Sequence, residues 1–237
     1  MEIKEFSKKI KKHLKEINIE IEEEKIKKLY QYMEMLIQRN KEMNLTAITE
    51  PNEIILKHFV DSATILKNIK STDKVVDVGS GAGFPGIPVK ILNKNISLTL
   101  LDSLNKRIKF LDEVIYNLKL NAIETVHSRA EDFAKESREI FDVAVSRAVA
   151  PLNILLEYML PLVKVGGICI CMKGSNIGEM KDCRKALEIL GGEIEKIEEL
   201  YLPGTDNKRN IIIVQKIKET PKKYPRKAGK PTREPII

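Results

Sequence analysis

The sequence predicts an α/β protein with a doubly wound, mostly parallel sheet, an antiparallel hairpin at one sheet edge and a helical extension at the N-terminus. Two observations predict this class. From about residue 71 to residue 190, short apolar runs alternate with segments of helical periodicity, as in strands joined by crossover helices. The first 70 residues, in contrast, show helical spacing alone.

The N-terminal extension, residues 1–70, is predicted from three amphipathic stretches. Apolar side chains recur at helical spacing in residues 3–17 and again in residues 22–43. Pro51 opens a third helical stretch, expected over residues 52–67, because proline is well tolerated at the first position of a helix.

The sheet is predicted over residues 71–217, and its strands are the apolar runs of that region. The last two runs are joined by a link too short for a crossover helix, so we expect them to pair antiparallel. The expected strands are residues 74–78, 97–102, 124–128, 141–146, 167–173, 193–202 and 209–217. The expected helices lie near residues 85–93, 105–119, 130–137, 151–163 and 178–190.

Residues 218–237 form a basic tail. The chain carries a net charge of +7, and the part from Lys216 to the C-terminus has eight basic and two acidic residues, a net charge of +6. Such a cationic tail on a nearly neutral body suggests a polyanionic partner. The tail is rich in proline and has little to pack, so we expect it to be irregular.

The overall composition indicates a soluble, globular protein. Of its 237 residues, 43% are hydrophobic and 32% charged. It has neither an apolar signal core nor a run near the roughly 20 apolar residues that span a bilayer, so we expect a cytoplasmic protein without a membrane partner. Cys169, Cys171 and Cys183 are expected as buried thiols, without a metal. No exposed apolar heptad stands out, so we expect a monomer.

A glycine-rich loop, VVDVGSGAGFPG at residues 75–86, follows the first strand. Glycines between a strand and a helix let backbone N–H groups approach a ligand closely. Asp102, at the end of the second strand, lies where a ribose-binding acid is expected. This spacing fits a dinucleotide and S-adenosylmethionine equally well, because both carry an adenosine ribose.

Three features favour S-adenosylmethionine. Asp77 stands two residues before the first glycine, where a dinucleotide fold normally has an apolar residue. The resulting D-x-G-x-G-x-G resembles the first motif of class I S-adenosylmethionine-dependent methyltransferases, in which the acid belongs to the methionine end of the site. The edge hairpin resembles the last hairpin of their Rossmann-like sheet, and Phe84 and Pro85 replace the small residues of a dinucleotide helix start.

The other strand ends are consistent with this class. Ala130 and Glu131 follow the third strand, where class I methyltransferases contact the adenine. Arg147 ends the fourth strand and should face the ligand crevice as a positioning residue. His58 and Asp61 lie three residues apart on one predicted helix. They either form a wall of the crevice near the methyl group or make an interdomain hydrogen bond.

The fourth strand end also bears on the reaction. It reads Ser146-Arg147-Ala148-Val149, without the Asn or Asp, prolines and aromatic of exocyclic-amine methyltransferases and without the cysteine of pyrimidine-carbon methyltransferases. Guanine N7 carries no proton, so its methylation needs no general base and can depend on positioning. The sequence is compatible with that reaction.

Segments along most of the chain resemble one family. They are NLTAI (44–48), KHFVDS (57–62), VVDVGSGAGFPGIPVKI (75–91), LLDSLNKRIKFL (100–111), SRAED (128–132), SRAVAPL (146–152), KG (173–174), RNIIIV (209–214) and YPRKAGKP (224–231). Together they resemble the RsmG (GidB) family of bacterial 16S rRNA guanine-N7 methyltransferases. The resemblance implies methylation of one guanine of small-subunit rRNA, with S-adenosyl-L-methionine as cofactor and 16S rRNA or the small ribosomal subunit as partner.

The resemblance also implies site residues. It carries cofactor contacts onto Gly79, Phe84, Ala130, Glu131 and Arg147, and the loop and ribose arguments add Asp77, Gly81, Gly83, Asp102 and Ser103. The expected RNA contacts are Arg209, Tyr224, Arg226, Lys227 and Lys230. On this basis, deleting residues 218–237 should weaken RNA binding and leave cofactor affinity unchanged.

The sequence disfavours two other functions. A non-catalytic RNA- or ribosome-binding protein with a degenerate cofactor fold is disfavoured by the intact glycine motif and by Asp102. A dinucleotide-dependent oxidoreductase is disfavoured by Asp77 and by the edge hairpin.

Overall fold

The architecture was taken from a computed structural model, which describes residues 1–175 and 178–237. The strands in this part of the chain are β1 (Lys74–Val78), β2 (Ser97–Asp102), β3 (Ile123–His127), β4 (Phe141–Arg147), β5 (Val163–Lys173), β6 (Gly192–Tyr201) and β7 (Lys208–Lys216). They form one sheet in the order β3-β2-β1-β4-β5-β7-β6. The first five are parallel, and β7 pairs antiparallel with both β5 and β6. The predicted fold class is confirmed.

Helices flank the sheet. The α-helices of the described residues are α1 (Ile3–Glu16), α2 (Glu23–Met43), α3 (Pro51–Ile54), α4 (Asp61–Ala63), α5 (Gly86–Leu92), α6 (Asn105–Asn117), α7 (Ala130–Glu136), α8 (Leu152–Met159), α9 (Arg184–Leu190) and α10 (Lys230–Arg233). A π-helical turn, Ile55–Val60, joins α3 to α4, and 3₁₀ turns occupy Leu66–Asn68, Leu160–Leu162 and Gly178–Asp182.

Several elements differ from the sequence prediction. The helix expected near residues 178–190 is a 3₁₀ turn followed by α9, and the one expected near residues 151–163 ends in the 3₁₀ turn Leu160–Leu162. The single helix expected over residues 52–67 is divided, because the π-helical turn widens the backbone around His58. β5 begins at Val163 rather than at residue 167, because Val163 already pairs with Phe141 and the strand continues through Gly166 at a φ of 87°. The two glycines of this strand therefore do not mark its start.

The sheet buries an apolar core on each face. On one face, Phe6, Leu36 and Phe59 from the N-terminal region pack in the same core as Val75 and Leu100 of the sheet. The other face packs against α8 and α9. The N-terminal helices thus cover one face of the sheet, and the division at residue 70 stays a prediction.

The C-terminal tail has an irregular backbone outside α10, as predicted, but the expectation that it has little to pack is wrong. Pro225, Pro231 and Ile236 are buried, and residues 230–233 form α10. Composition misled here because the tail packs by hydrogen bonds and prolines rather than by a run of large apolar side chains. Arg226, for example, forms a bidentate ion pair with the buried Glu157 of α8.

Two further expectations concern the described residues. Cys169, Cys171 and Cys183 are buried thiols outside any disulfide, as predicted. No helix in the described ranges combines the length and the apolar character that crossing a membrane requires.

Candidate active site

The glycine loop between β1 and α5 exposes its backbone at the carboxyl end of the sheet. Gly79 and Gly81 have φ angles of 75° and 61°, in the left-handed region that favours glycine. A Cβ on Gly79 would lie 2.6 Å from a methyl group of Val149, and a Cβ on Gly81 would meet a single carbonyl oxygen at 3.9 Å. The loop therefore presents backbone atoms, rather than side chains, to the crevice in front of it.

Two predicted cofactor residues lie behind this loop. Asp77 is fully buried, and its Oδ2 accepts a hydrogen bond of 2.8 Å from the backbone N–H of Gly86. Burial raises the pKa of Asp77 to about 7. At Gly83, a Cβ would lie 2.6 Å from the hydroxyl of Tyr32. These two residues shape the turn from within and do not line the crevice.

The N-terminal extension supports the same loop. The hydroxyl of Tyr32 on α2 donates a hydrogen bond to the carbonyl of Ala82, and its ring lies 5.4 Å from that of Phe84. Tyr32 is not among the residues that the sequence predicted for the site. Its position, three residues after Leu29 and four before Leu36, was the available signal.

Asp102 ends β2 and ties the second strand to the loop. Its Oδ2 accepts a hydrogen bond of 2.9 Å from Gly81 N–H and one of 3.2 Å from Arg107, and its Oδ1 accepts one of 2.9 Å from Leu104 N–H. Each carboxylate oxygen has two acceptor positions. Oδ1 can therefore accept a further hydrogen bond from a ligand hydroxyl. Arg107 was not predicted, although it stands five residues after Asp102, in the first turn of α6.

Two cavities meet at this point. The first, which we call the α7 cavity, has a volume of about 290 Å³. The second, the Arg147 cavity, has a volume of about 440 Å³. Both are lined by Gly79, Asp102, Ser103 and Val149. They are the two ends of one crevice along the carboxyl ends of the parallel strands, where open α/β sheets bind their ligands.

The α7 cavity is mostly apolar at its base and polar at its rim. Its apolar walls include Leu101 of β2 and Ile154 of α8, and α7 contributes the predicted Ala130 and Glu131. Tyr158 of α8 and Thr232 of α10 complete the rim, with their hydroxyl oxygens 3.0 Å apart. Nothing in the sequence indicated Tyr158 or Thr232, because only folding of the tail brings them together.

The Arg147 cavity is built around a buried guanidinium. Arg147 donates hydrogen bonds to the carbonyl of Lys57 at 3.0 Å, to Asp61 Oδ2 at 3.2 Å and to His58 Nδ1 at 3.0 Å. Its guanidinium also lies 5.1 Å from the centre of the Phe84 ring. The predicted positioning residue is therefore held on three sides by the N-terminal extension and by the glycine loop.

His58 lines this cavity in its neutral form. Because arginine can only donate, His58 Nδ1 must accept, and the proton on Nε2 is directed to Thr46 Oγ1 at 2.9 Å. Burial and the charge of Arg147 lower the pKa of His58 to about 3. The ring stacks on Phe84 at 4.2 Å. His58 thus lines the crevice and also hydrogen-bonds from the N-terminal helices to Arg147 of β4.

Asp61 joins two arginines. Its Oδ2 accepts from Arg147, and its Oδ1 accepts a hydrogen bond of 3.0 Å from Nε of Arg209. Burial raises the pKa of Asp61, and the two arginines act in the opposite direction. Asp61 therefore connects the N-terminal helices to Arg147 of β4 and Arg209 of β7.

The predicted RNA contacts fall into two groups. Arg209 and Arg226 are engaged by the buried carboxylates of Asp61 and Glu157, and Tyr224 is half-buried against the core. Lys227 and Lys230 are exposed. The described part of the chain contains no group of three or more His, Cys, Asp or Glu side chains that could hold a metal.

The crevice defines a class of protein. Backbone atoms of a glycine loop, an acid at the end of β2 with a free acceptor position and an apolar cavity beside them fit the adenosine part of S-adenosylmethionine. Together with the mostly parallel sheet and its antiparallel edge, they define a class I S-adenosylmethionine-dependent methyltransferase.

Comparison with known proteins identifies the family. The family model described as rRNA small subunit methyltransferase G, GidB, matches residues 25–212. Ribosomal RNA small subunit methyltransferase G of Alkaliphilus oremlandii is 50% identical over 241 residues, covering 100% of both chains. That of Acetivibrio thermocellus is 52% identical over 221 residues, covering 92% of this chain and 91% of the relative. The chain belongs to this family, and S-adenosylmethionine is its cofactor.

Solved structures agree on the fold. TYW2 of M. jannaschii, crystallised with AdoMet, matches with a TM-score of 0.55 at 17% identity, over 66% of this chain and 75% of that chain. TrmN of Thermus thermophilus matches with a TM-score of 0.53 at 15% identity, over 67% of this chain and 48% of that chain. At these identities the likeness concerns the fold alone.

Proposed function

We propose that this enzyme methylates N7 of a guanine at one site of 16S rRNA, by direct in-line transfer without a dedicated general base. The family supports the polymer, and the Arg147 cavity supports the chemistry. The observation that carries the proposal is the state of His58, whose two nitrogens are both engaged and whose pKa is lowered to about 3.

The charged and basic side chains that line the Arg147 cavity are engaged with one another or with the glycine loop. Arg107 and Arg147 are cations, and Asp102 is tied to the loop and to Arg107. His58 is a weak base because burial, and then the positive charge of Arg147, disfavour its protonated form and lower its pKa. Guanine N7 needs no deprotonation, so such a cavity suits this acceptor.

The residues of the chain would hold the two reactants. Gly79, Asp102, Ala130 and Glu131 would bind the nucleoside end of the cofactor in the α7 cavity. When bound, S-adenosylmethionine supplies an electrophilic methyl group, and transfer breaks the sulfur–methyl bond as the N7 lone pair forms the new bond. Arg147 and Phe84 would orient the reactants in the second cavity, and the fixed network around Arg147 would limit the cost of positioning.

The remaining assignments also belong to this proposal. Lys227 and Lys230 would contact RNA phosphates directly. Arg209 and Tyr224, with Arg226, would shape the same RNA-facing surface from their partly buried positions. We place the protein in the cytoplasm as a monomer.

The direct test is a methyl-transfer assay with labelled S-adenosylmethionine. The acceptors are small subunits, and separately deproteinised 16S rRNA, from a strain lacking this activity, with the modified base identified by mass spectrometry. We expect 7-methylguanosine at a single site. Label in another base, or in no RNA at all, would contradict the proposal.

A matched pair of variants connects the product to the site. Arg147→Ala should abolish most of the transfer, because it removes the centre of the second cavity. Lys164→Ala serves as control, because this exposed lysine pairs with Asp142 near the opposite end of the sheet. Equal loss in both variants would show that the Arg147 cavity is not the site of transfer.

A further inference from the structure

The C-terminal segment, residues 220–236, is attached to the two helices that wall the α7 cavity. Arg226 holds Glu157 of α8 through two hydrogen bonds of 2.9 and 2.6 Å. Asn153, also on α8, donates to the carbonyl of Ile236 at 3.1 Å. The segment is therefore fixed to α8 on both sides of α10.

A second attachment reaches a residue of the cavity itself. The backbone N–H of Gly229 donates a 3.0 Å hydrogen bond to Oε1 of Glu131, which is 3% exposed and belongs to the first turn of α7. Gly229 has a φ of 79°, which favours glycine at this point of the turn into α10. The tail thereby fixes the orientation of a carboxylate that lines the cavity.

The segment also contributes its own side chain. Thr232 lines the α7 cavity, and its hydroxyl oxygen is 3.0 Å from that of Tyr158. Two hydroxyl groups, each able to donate and to accept, thus line the same cavity as the apolar Leu101 and Ile154. This arrangement suits a flat heterocycle with polar edges, such as adenine.

We propose that the C-terminal segment is a wall of the cofactor site, with Thr232 in contact with the adenosine of bound S-adenosylmethionine and Gly229 positioning Glu131 for it. The proposal rests on the proposed function in one respect, that the cofactor's adenosine occupies the α7 cavity. It predicts the opposite of the sequence-based expectation that cofactor affinity is independent of residues 218–237.

The wall accounts for the two-sided composition of the segment. Pro225, Pro231 and Ile236 are buried toward the body of the protein. The exposed positions of the same segment carry lysines and Arg233. The inner side of the segment therefore packs against the cavity and α8, and its exposed side carries the cations that a partner could contact.

The test is a bulky substitution on each side of the segment, read by calorimetry with S-adenosylhomocysteine. Thr232 is exposed to solvent at the cavity rim, so Thr232→Trp should fold and fill part of the cavity. We expect the affinity of Thr232→Trp for S-adenosylhomocysteine to fall by about tenfold or more. The affinity of Thr232→Val should fall by about fivefold, because one hydrogen bond is lost. Lys222→Trp is the control, an exposed position of the same segment that does not line the cavity, and should bind like the wild type.

The outcomes separate this proposal from the proposed function. Wild-type binding together with unchanged affinity in Thr232→Trp would overturn the wall and leave the methyltransferase assignment intact. Failure of the wild type to bind S-adenosylhomocysteine would overturn both. Hydrogen exchange on the full chain gives a second reading: the ligand should slow exchange in residues 227–233 and leave the edge strand β6 unchanged. Protection of residues 79–83 without protection of residues 227–233 would also overturn the wall.

Discussion

The two cavities that meet at Gly79 and Asp102 are walled in different ways. The Arg147 cavity is closed by buried polar groups that hydrogen-bond to one another: the ion pair of Arg147 with Asp61, and the neutral His58, contributed by β4 and by the N-terminal extension. The α7 cavity is closed by apolar side chains and by a segment from the opposite end of the chain, which carries Thr232. The same crevice thus combines an electrostatic network with a packed wall.

Because their walls differ, the two ends of the crevice should respond differently to mutation. A buried ion pair is strongly destabilised when one partner is removed, because the remaining charge is left without compensation. A wall of hydroxyls, backbone N–H groups and prolines should lose less free energy of unfolding when one contact is removed. We therefore expect mutations around Arg147 to act on stability and chemistry together, and mutations around Thr232 to act on ligand affinity.

The largest effect should come from Asp61→Ala. This change leaves Arg147 and Arg209 without their shared carboxylate in a buried position. We expect a loss of about 3–5 kcal/mol in the free energy of unfolding, measured by urea denaturation. Asp132→Ala, which removes an exposed ion pair with Lys135, should cost less than about 1 kcal/mol. Similar losses in the two variants would mean that the network is not what closes the Arg147 cavity.

Measuring the free energy of unfolding at several pH values distinguishes the contribution of Asp77, which lies under the shared glycine loop, from that of His58. The raised pKa of Asp77 contributes stability that is full below its unfolded value of 3.8 and is lost as pH rises through about 7. The lowered pKa of His58 contributes stability that is present above 6.5 and is lost as pH falls toward about 3. The two residues therefore give opposite slopes between pH 4 and pH 6.5.

Asp77→Asn removes the first of these slopes. The stability of the variant relative to the wild type should rise by about 2–3 kcal/mol between pH 5 and pH 8, since one pKa unit is worth about 1.4 kcal/mol. Urea unfolding at the two pH values measures this difference. A difference that does not change with pH would show that Asp77 does not titrate in the folded protein as its burial implies.

Arg147→Lys tests positioning within the Arg147 cavity. A lysine ammonium cannot reach Lys57, Asp61 and His58 in the planar arrangement of the guanidinium. We expect kcat to fall by roughly tenfold to a hundredfold, for the loss of one charge-assisted hydrogen bond, and the affinity for S-adenosylhomocysteine to change much less. A variant that loses cofactor affinity and keeps kcat would place Arg147 in binding alone.

The smallest effect should come from the exposed cations of the C-terminal segment. Lys227→Ala and Lys230→Ala should each weaken binding to 16S rRNA and lower the slope of log Kd against log salt by about 1. Both variants should bind S-adenosylhomocysteine like the wild type. A salt slope that stays constant in the double variant would remove both lysines from the RNA interface.

Much of the fold could be predicted from the sequence, because strand and helix periods are local properties. The seven strands, the edge hairpin and the ends of α1 and α2 follow from apolar spacing and from one short link. The break in the helix over residues 52–67 could not be predicted, because the π-helical turn depends on contacts of His58 with distant residues.

The residues of the candidate site, too, could be predicted only in part. The residues at strand ends, such as Gly79, Asp102 and Arg147, were predictable because parallel strands place their carboxyl ends along one edge. Asp77 and Gly83 belong to the same motif, yet they face inward, which a linear pattern cannot distinguish. Thr232 was missed because the anchors of its segment, Glu157 and Glu131, are far away in sequence.

A crystal structure of the full chain with S-adenosylhomocysteine tests the central claim most directly. We predict adenine in the α7 cavity between Ile154 and Thr232, a ribose hydroxyl on Asp102, and the amino-acid end of the ligand in the Arg147 cavity. A ligand bound with its adenine beside Arg147, or away from the glycine loop, would contradict the account.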